Sequence, residues 1–219
     1  MIRTRTLLAA VAIAALASAV AAAPAQKAAP KAAAAGPAFT DYSIGDPHAK
    51  VTVIEYGSVS CPHCAHFAAD VLPEFKKKWV DTGKVRYVFR ETPIHDQIDV
   101  AAFMLVHCTG PQNYAAAVDA LFQGQDELFK TQDVKAWLIG AGAKFGMDEA
   151  KVQACVENQT VGQALVRHMQ AENAEYKINQ TPTLIVNGKK MKGDPTFANL
   201  DAAVVAAESP HKAPAHKKK

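Results

Sequence analysis

Two cysteines three positions apart, Cys61 and Cys64, stand where the hydrophobic pattern of the chain changes period. Upstream, Val51-Thr-Val-Ile-Glu-Tyr56 is β-branched and aromatic and reads as a strand. Downstream, Phe67, Val71, Phe75 and Trp79 recur about every four residues, the spacing of one helix face. Gly57 to Ser60 reads as a loop, with Ser60 as candidate N-cap and Pro62 suited to the first helical turn. The helix is expected from Cys64 to about Val80, with a kink at Pro73. A C-x-x-C that opens a helix directly after a strand admits few folds, because a β-α unit must bury its strand between layers.

The rest of the pattern narrows the choice. Lys84 to Arg90 reads as a second strand. From Ile94 to Tyr176 every periodic segment is helical: about Gln97–Cys108, Asn113–Gln123, Val134–Phe145, Asp148–Val156 and Val161–Tyr176. Gly110-Pro111 and Gly146 punctuate them. Thr183 to Val186 returns to strand, Asn187-Gly188 signals a hairpin, and Lys189 to Lys192 forms its second arm. Phe197 to Ala207 closes as a helix. The expected fold class is α/β: a thioredoxin-like fold with a helical domain inserted after the β-α-β unit, at about 94–176.

The ends of the chain read differently. Arg3 and Arg5 precede an apolar run from Leu7 to Val20, and Ala19-Val20-Ala21 suits cleavage. Residues 1–23 therefore read as a signal peptide, the alternative being an uncleaved anchor. The run is alanine-rich and shorter than the ~20 apolar residues of a stable span, which favours cleavage. Residues 24–37, built mostly of Ala, Pro and Lys, read as a linker. The folded domain is expected over 38–208, and 209–219 as a basic solvated tail. Loss of Arg3 and Arg5 leaves 22 basic against 21 acidic residues, too little field to bind nucleic acid. Export to a bacterial periplasm fits both this leader and four cysteines in an even set.

The cysteines divide by spacing. A helix N-terminus favours an anion, so Cys61 is expected as the low-pKa thiolate that attacks and leaves. Cys64, one turn on, is expected as the buried resolving thiol. Pro62-His63 sets an imidazole beside the thiolate, whose stabilisation favours the reduced form and makes the disulfide an oxidant. His66 reads as solvated surface. A zinc site needs four ligands, and no second pair is spaced for one, so no metal and no cofactor are expected. Cys108 and Cys155 stand far apart on helices of the insertion and are expected to form a structural disulfide. It would close a loop of about 48 residues, worth up to ~4 kcal/mol on chain entropy. A pair that shuttles electrons is the alternative.

Cys61-Pro-His-Cys64, together with Gly45-Asp-Pro-His-Ala49, Val53-Ile-Glu-Tyr56, Val85 to Arg90 and Thr181 to Gly188, resembles the DsbA-like thiol:disulfide oxidoreductases. The likeness runs from about Tyr42 to Ala207. Val59-Ser60-Cys61 and the second cysteine pair are similar to the alphaproteobacterial branch. The residues alone leave Pro182 equally an ordinary strand-entry proline; the resemblance implies a cis-proline loop, Thr181-Pro182, facing the C-x-x-C. Thr181 would then offer main-chain groups to an extended substrate. The resemblance also implies that Glu55 lies beneath Cys61 and assists proton transfer, where the strand alone leaves it open to solvent. Implied partners are reduced or unfolded exported proteins and a DsbB-like membrane reoxidase, with the protein acting as a monomer. Rival readings are an isomerase or reductase of the same superfamily, or a chaperone or metal-binding module using Cys61, Cys64 and His66.

Overall fold

The computed structural model describes residues 38–209. The signal peptide expected at 1–23, the linker at 24–37 and the basic tail beyond Ser209 lie outside the described residues. Five strands form one sheet: β1 (Tyr42–Ile44), β2 (Val51–Gly57), β3 (Val85–Glu91), β4 (Thr183–Val186) and β5 (Lys189–Lys190), in the order β1-β3-β2-β4-β5. β2 runs parallel to β3 and antiparallel to β4, with Glu55 paired to Phe89 on one side and Leu184 on the other. Apolar sequence suits this central place, since Val51, Val53 and Tyr56 lose all exposure there.

A continuous helix over 62–80, α1, links β2 to β3. Two stretches of it, Phe67–Val71 and Lys76–Val80, are π-helical. The first of these wide turns precedes Pro73, which has no N–H to donate. The helix meets its proline by widening the turn before it. The apolar face read from the sequence is buried at Phe67, Phe75 and Trp79.

Six α-helices separate β3 from β4: α2 (Asp96–Cys108), α3 (Tyr114–Gln123), α4 (Gln125–Thr131), α5 (Val134–Ala143), α6 (Glu149–Val156) and α7 (Gln159–Glu175), with a short 3-10 turn at Pro111–Asn113. α2 is their centre. Ala102 to Val106 are five consecutive buried residues, which only a helix covered on all sides shows. α8 (Phe197–Glu208) returns to pack on α1, β2 and β4, and Trp79 Nε1 donates to Asp201 Oδ1 at 2.8 Å. Among the described residues no helix is long and apolar enough to cross a membrane.

Three details differ from expectation. β1 has three residues and no pattern of its own; it exists because Tyr42 to Ile44 pair with Tyr87 to Phe89. α4 was not expected, being too short to show periodicity. The second arm of the hairpin stops at Lys190 and does not reach Lys192. The hairpin itself turns as Asn-Gly requires, with φ of 44° at Asn187 and 77° at Gly188.

Candidate active site

β2 ends at Gly57, beneath the start of α1. Only glycine fits: a Cβ there would meet the Phe89 ring at 2.6 Å and Glu55 Oε1 at 3.0 Å. Ser58 to Ser60 follow as a buried loop, and Cys61 is the N-cap of α1, with Pro62 in its first turn. Ser60, the expected cap, is turned away. Its hydroxyl donates instead to Asp99, a carboxylate that attracts it more strongly than a helix end does.

As a thiol, Cys61 makes no capping hydrogen bond. As a thiolate, it is the acceptor that this helix end lacks. Its pKa is pulled from 9.0 down to about 5. The largest cause is the Cys64 thiol, which donates to it; burial opposes, and Thr181 and the main-chain N–H groups of Cys64 and His63 add to the fall. Pro62 has no N–H, so His63 and Cys64 supply the first main-chain donors of the helix.

Cys64 is fully buried, and its thiol is pushed far above its ordinary value. The proton it shares with Cys61 is the first cause, then burial, then the nearby Glu55 carboxyl. One sulfur therefore carries the charge and the other keeps the proton. The asymmetry is geometric: Cys61 stands at the helix N-terminus and Cys64 inside the first turn.

The peptide bond between Thr181 and Pro182 is cis, and this loop faces Cys61. Cys61 Sγ lies 3.5 Å from the Thr181 carbonyl oxygen, which accepts only from the thiol. The Thr181 hydroxyl is buried and has no hydrogen-bond partner among the described residues, and the Thr181 side chain lowers the Cys61 thiol. The carbonyl and the side chain pull in opposite senses. The side chain acts with the helix N–H groups, so the lowered direction stands. His63, Thr181 and Pro182 line a cleft of about 570 Å³ with Asp70, Asp194 and Thr196.

Glu55 is 2% exposed, on the central strand below the dithiol. Burial raises its carboxyl to about 8, against a lowering hydrogen bond from the Tyr87 hydroxyl, with the charge of Cys61 raising it further. A neutral acid and a thiolate thus coexist within one site near neutral pH. His63 gives Cys61 its main-chain N–H, while its ring is solvent-exposed beside the cleft. His66 points to solvent and meets Asp70 at 2.9 Å. Cys108 and Cys155 are joined in a disulfide between α2 and α6, remote in sequence from the cleft.

Two buried side chains at the site were not anticipated, Asp99 and Gln125. Asp99 is fully buried and Gln125 is 4% exposed, and both bond the loop before Cys61. No sequence signal marks either.

Comparison with known proteins identifies the family. A family model described as thioredoxin matches residues 38–206. A Rickettsia bellii protein, named provisionally as a protein-disulfide oxidoreductase, is 30% identical over 149 residues, 68% of this chain and 57% of that protein. The chain thus spans less than two thirds of the length of such curated relatives. The crystal structure of Wolbachia pipientis alpha-DsbA1 superposes with a TM-score of 0.68 at 25% identity, covering 78% of this chain and 92% of that one. BdbD from Bacillus subtilis, in its oxidised form, gives a TM-score of 0.67 at 22% identity over 75% of this chain and 91% of that one, a likeness of fold. By the family match over residues 38–206, with these structural relatives beside it, the chain belongs to the thioredoxin family as a DsbA-like member.

Proposed function

We propose that this chain is a periplasmic protein dithiol oxidase, a thiol:disulfide oxidoreductase that donates a Cys61–Cys64 disulfide to cysteines of newly exported proteins. The observation that carries the reading is the division of charge between the two thiols, with Cys61 near 5 and Cys64 pushed far up. A thiolate this stable favours the reduced enzyme, so the disulfide is readily given away.

The exchange balances as follows. A substrate thiolate attacks Cys61 Sγ, the Cys61–Cys64 bond breaks, and Cys64 leaves with the electron pair and takes a proton. Glu55 supplies that proton in this reading, supported by its being buried, neutral near pH 7 and near enough to Cys64 for its charge to raise that thiol. A second substrate thiolate attacks the substrate sulfur of the mixed disulfide, and Cys61 leaves as a thiolate. The substrate is oxidised by two electrons, and both enzyme cysteines are reduced. His63 assists the thiolate, and Thr181 and Pro182 hold the substrate chain beside Cys61. A DsbB-like membrane partner reoxidises the pair, as the family resemblance implies, and the chain works as a monomer exported behind a cleaved leader at 1–23.

The test is oxidation of reduced, unfolded ribonuclease by stoichiometric oxidised protein, with the Cys61–Cys64 potential measured against glutathione. Fast recovery of ribonuclease disulfides and a potential well above the glutathione pool support an oxidase. A potential near that of thioredoxin, with reduction of insulin instead, replaces the reading with a reductase. Metal retained through purification in place of redox turnover replaces it with the binding module.

A further inference from the structure

The loop that delivers Cys61 is gripped by two buried side chains, and both belong to the helical insertion. Asp99, in the first turn of α2, takes the donors of the loop: Ser58 Oγ at 2.8 Å, Ser60 N at 3.1 Å and Ser60 Oγ at 3.0 Å. It also accepts from the main-chain N–H groups of Ile94 at 2.8 Å and His95 at 2.9 Å. Gln125, the first residue of α4, takes the acceptors. Its Nε2 donates to the carbonyl oxygens of Val59 at 2.7 Å and Cys61 at 3.2 Å. One side chain that only accepts and one amide that donates thus satisfy the two kinds of main-chain group in turn.

Proton counting tightens the picture. The Ser58 hydroxyl spends its single proton on Asp99 Oδ1, and that of Ser60 goes to Oδ2. The contact of 3.1 Å between the two serine oxygens has no proton left for it. The Ser60 oxygen must therefore accept from His95 Nδ1, at 2.8 Å, which fixes that nitrogen as the protonated one. A directed chain runs from His95 through Ser60 to Asp99, one residue before the reactive sulfur.

We propose that Asp99 and Gln125 are positioning residues for the dithiol. They hold Ser58 to Cys61 so that the sulfur stays over the N–H groups of His63 and Cys64 and against Thr181. The insertion, acting through two side chains, thereby sets how stable the Cys61 thiolate is. The claim rests on the redox role given to Cys61 above. The sign of the effect separates positioning from plain electrostatics. Removing a nearby negative charge alone stabilises a thiolate. Loosening the loop that aligns it destabilises one.

The experiment titrates Cys61 by thiolate absorbance and alkylation rate in full-length protein, and measures its equilibrium with glutathione. The variants are Asp99→Asn, Ser60→Ala, Gln125→Met and the Asp99→Asn/Ser60→Ala double. Asp99→Asn is expected to weaken the thiolate at least tenfold and to shift the glutathione equilibrium at least tenfold toward the Cys61–Cys64 disulfide. Its effect should fall by roughly a third in the Ser60→Ala background, since that change removes one of its three loop contacts and leaves the Ser60 main-chain N–H in place. A shift in the opposite direction, or a lowered melting temperature with an unmoved titration, overturns the proposal. If Asp99→Asn does not fold, Ser60→Ala and Gln125→Met decide: weaker thiolates in both support positioning, and an unchanged titration in both overturns it. Should the wild type fail to oxidise ribonuclease, the oxidase reading falls, while the titration still decides the positioning.

Discussion

The Tyr87 hydroxyl donates to the Glu55 carboxyl inside the sheet, from β3 to the neighbouring β2, with both residues buried. It is the only side-chain hydrogen bond given to Glu55 among the described residues, and it does not offset the burial of the acid. Glu55 stays at about 8, against 4.5 in water. The folded state therefore holds a proton that the unfolded state loses. Stability from this group is full below 4.5 and is lost as pH rises toward 8. Glu55→Gln should remove that slope, raising stability on the order of 3 kcal/mol at neutral pH. The same variant should slow substrate oxidation about tenfold or more, because Cys64 leaves without its proton donor. Melting across pH 5 to 9, beside ribonuclease oxidation rates, checks both. A wild-type melting curve with no such pH slope would show that the acid is not held neutral.

The Cys61 shift has the opposite sense. Its folded value, about 5, lies below the 9.0 of an unperturbed thiol. In the reduced protein the stabilisation is complete above about 9 and is lost as pH falls through 5. The oxidised protein has no such group. The gap in melting temperature between reduced and oxidised forms should therefore shrink steadily from pH 8 to pH 4. Paired calorimetric scans measure it, and a gap independent of pH would contradict the assignment.

His63 tests how much of the shift belongs to its ring. The main-chain N–H of residue 63 survives any substitution except proline, so His63→Ala isolates the side chain. If the ring stabilises the thiolate, His63→Ala should raise the Cys61 titration midpoint by roughly one pH unit and make the disulfide less oxidising. An unmoved midpoint and potential would mean that the main chain carries the effect.

Most of the fold is legible in the sequence because its signals are local. The β-branched run at Val51 to Tyr56, the four-residue recurrence after Phe67 and the Asn187-Gly188 turn each state their own structure. Cys61 and Cys64 are legible for the same reason, since a helix N-terminus is a local object. Asp99 and Gln125 are not. Asp99 meets Ser60 across 39 positions, and Gln125 meets Cys61 across 64. Nothing in Asp96 to Asp99 separates a buried anchor from an ordinary acidic first turn. Ser60 was misread for the same reason: its strongest partner lies on another helix.

The Thr181-Pro182 segment lies against Cys61, so a substrate chain joined to Cys61 must pass it. Residue 182 offers no N–H, and the donors there belong to Thr181 alone. Pro182→Ala adds a donor beside the bound chain and should hold it longer, accumulating mixed disulfides through Cys61. Thr181→Val deletes the buried hydroxyl and should raise the Cys61 midpoint by roughly one pH unit. Non-reducing electrophoresis of acid-quenched reactions with reduced ribonuclease, with Cys61 titration, reads both. Normal turnover in Pro182→Ala with nothing trapped would place the substrate elsewhere.

The bridge between Cys108 and Cys155 closes a separation of 47 residues and ties the C-terminus of α2 to α6. α2 is the buried centre of the insertion, so the bridge restrains the element from which Asp99 also projects. Its loop entropy is worth up to ~4 kcal/mol, less any cost in the folded state. Cys108→Ser with Cys155→Ser should lower the melting temperature by several degrees and leave the Cys61 titration in place, because α2 holds its position by packing at Phe103, Leu105 and Val106. A structural pair should also stay oxidised at glutathione ratios that fully reduce Cys61 and Cys64. Differential alkylation and mass spectrometry across a graded glutathione series follow both pairs at once. If the two pairs reduce together and the double variant melts unchanged, Cys108 and Cys155 pass electrons, and the insertion is a redox element as well as a support.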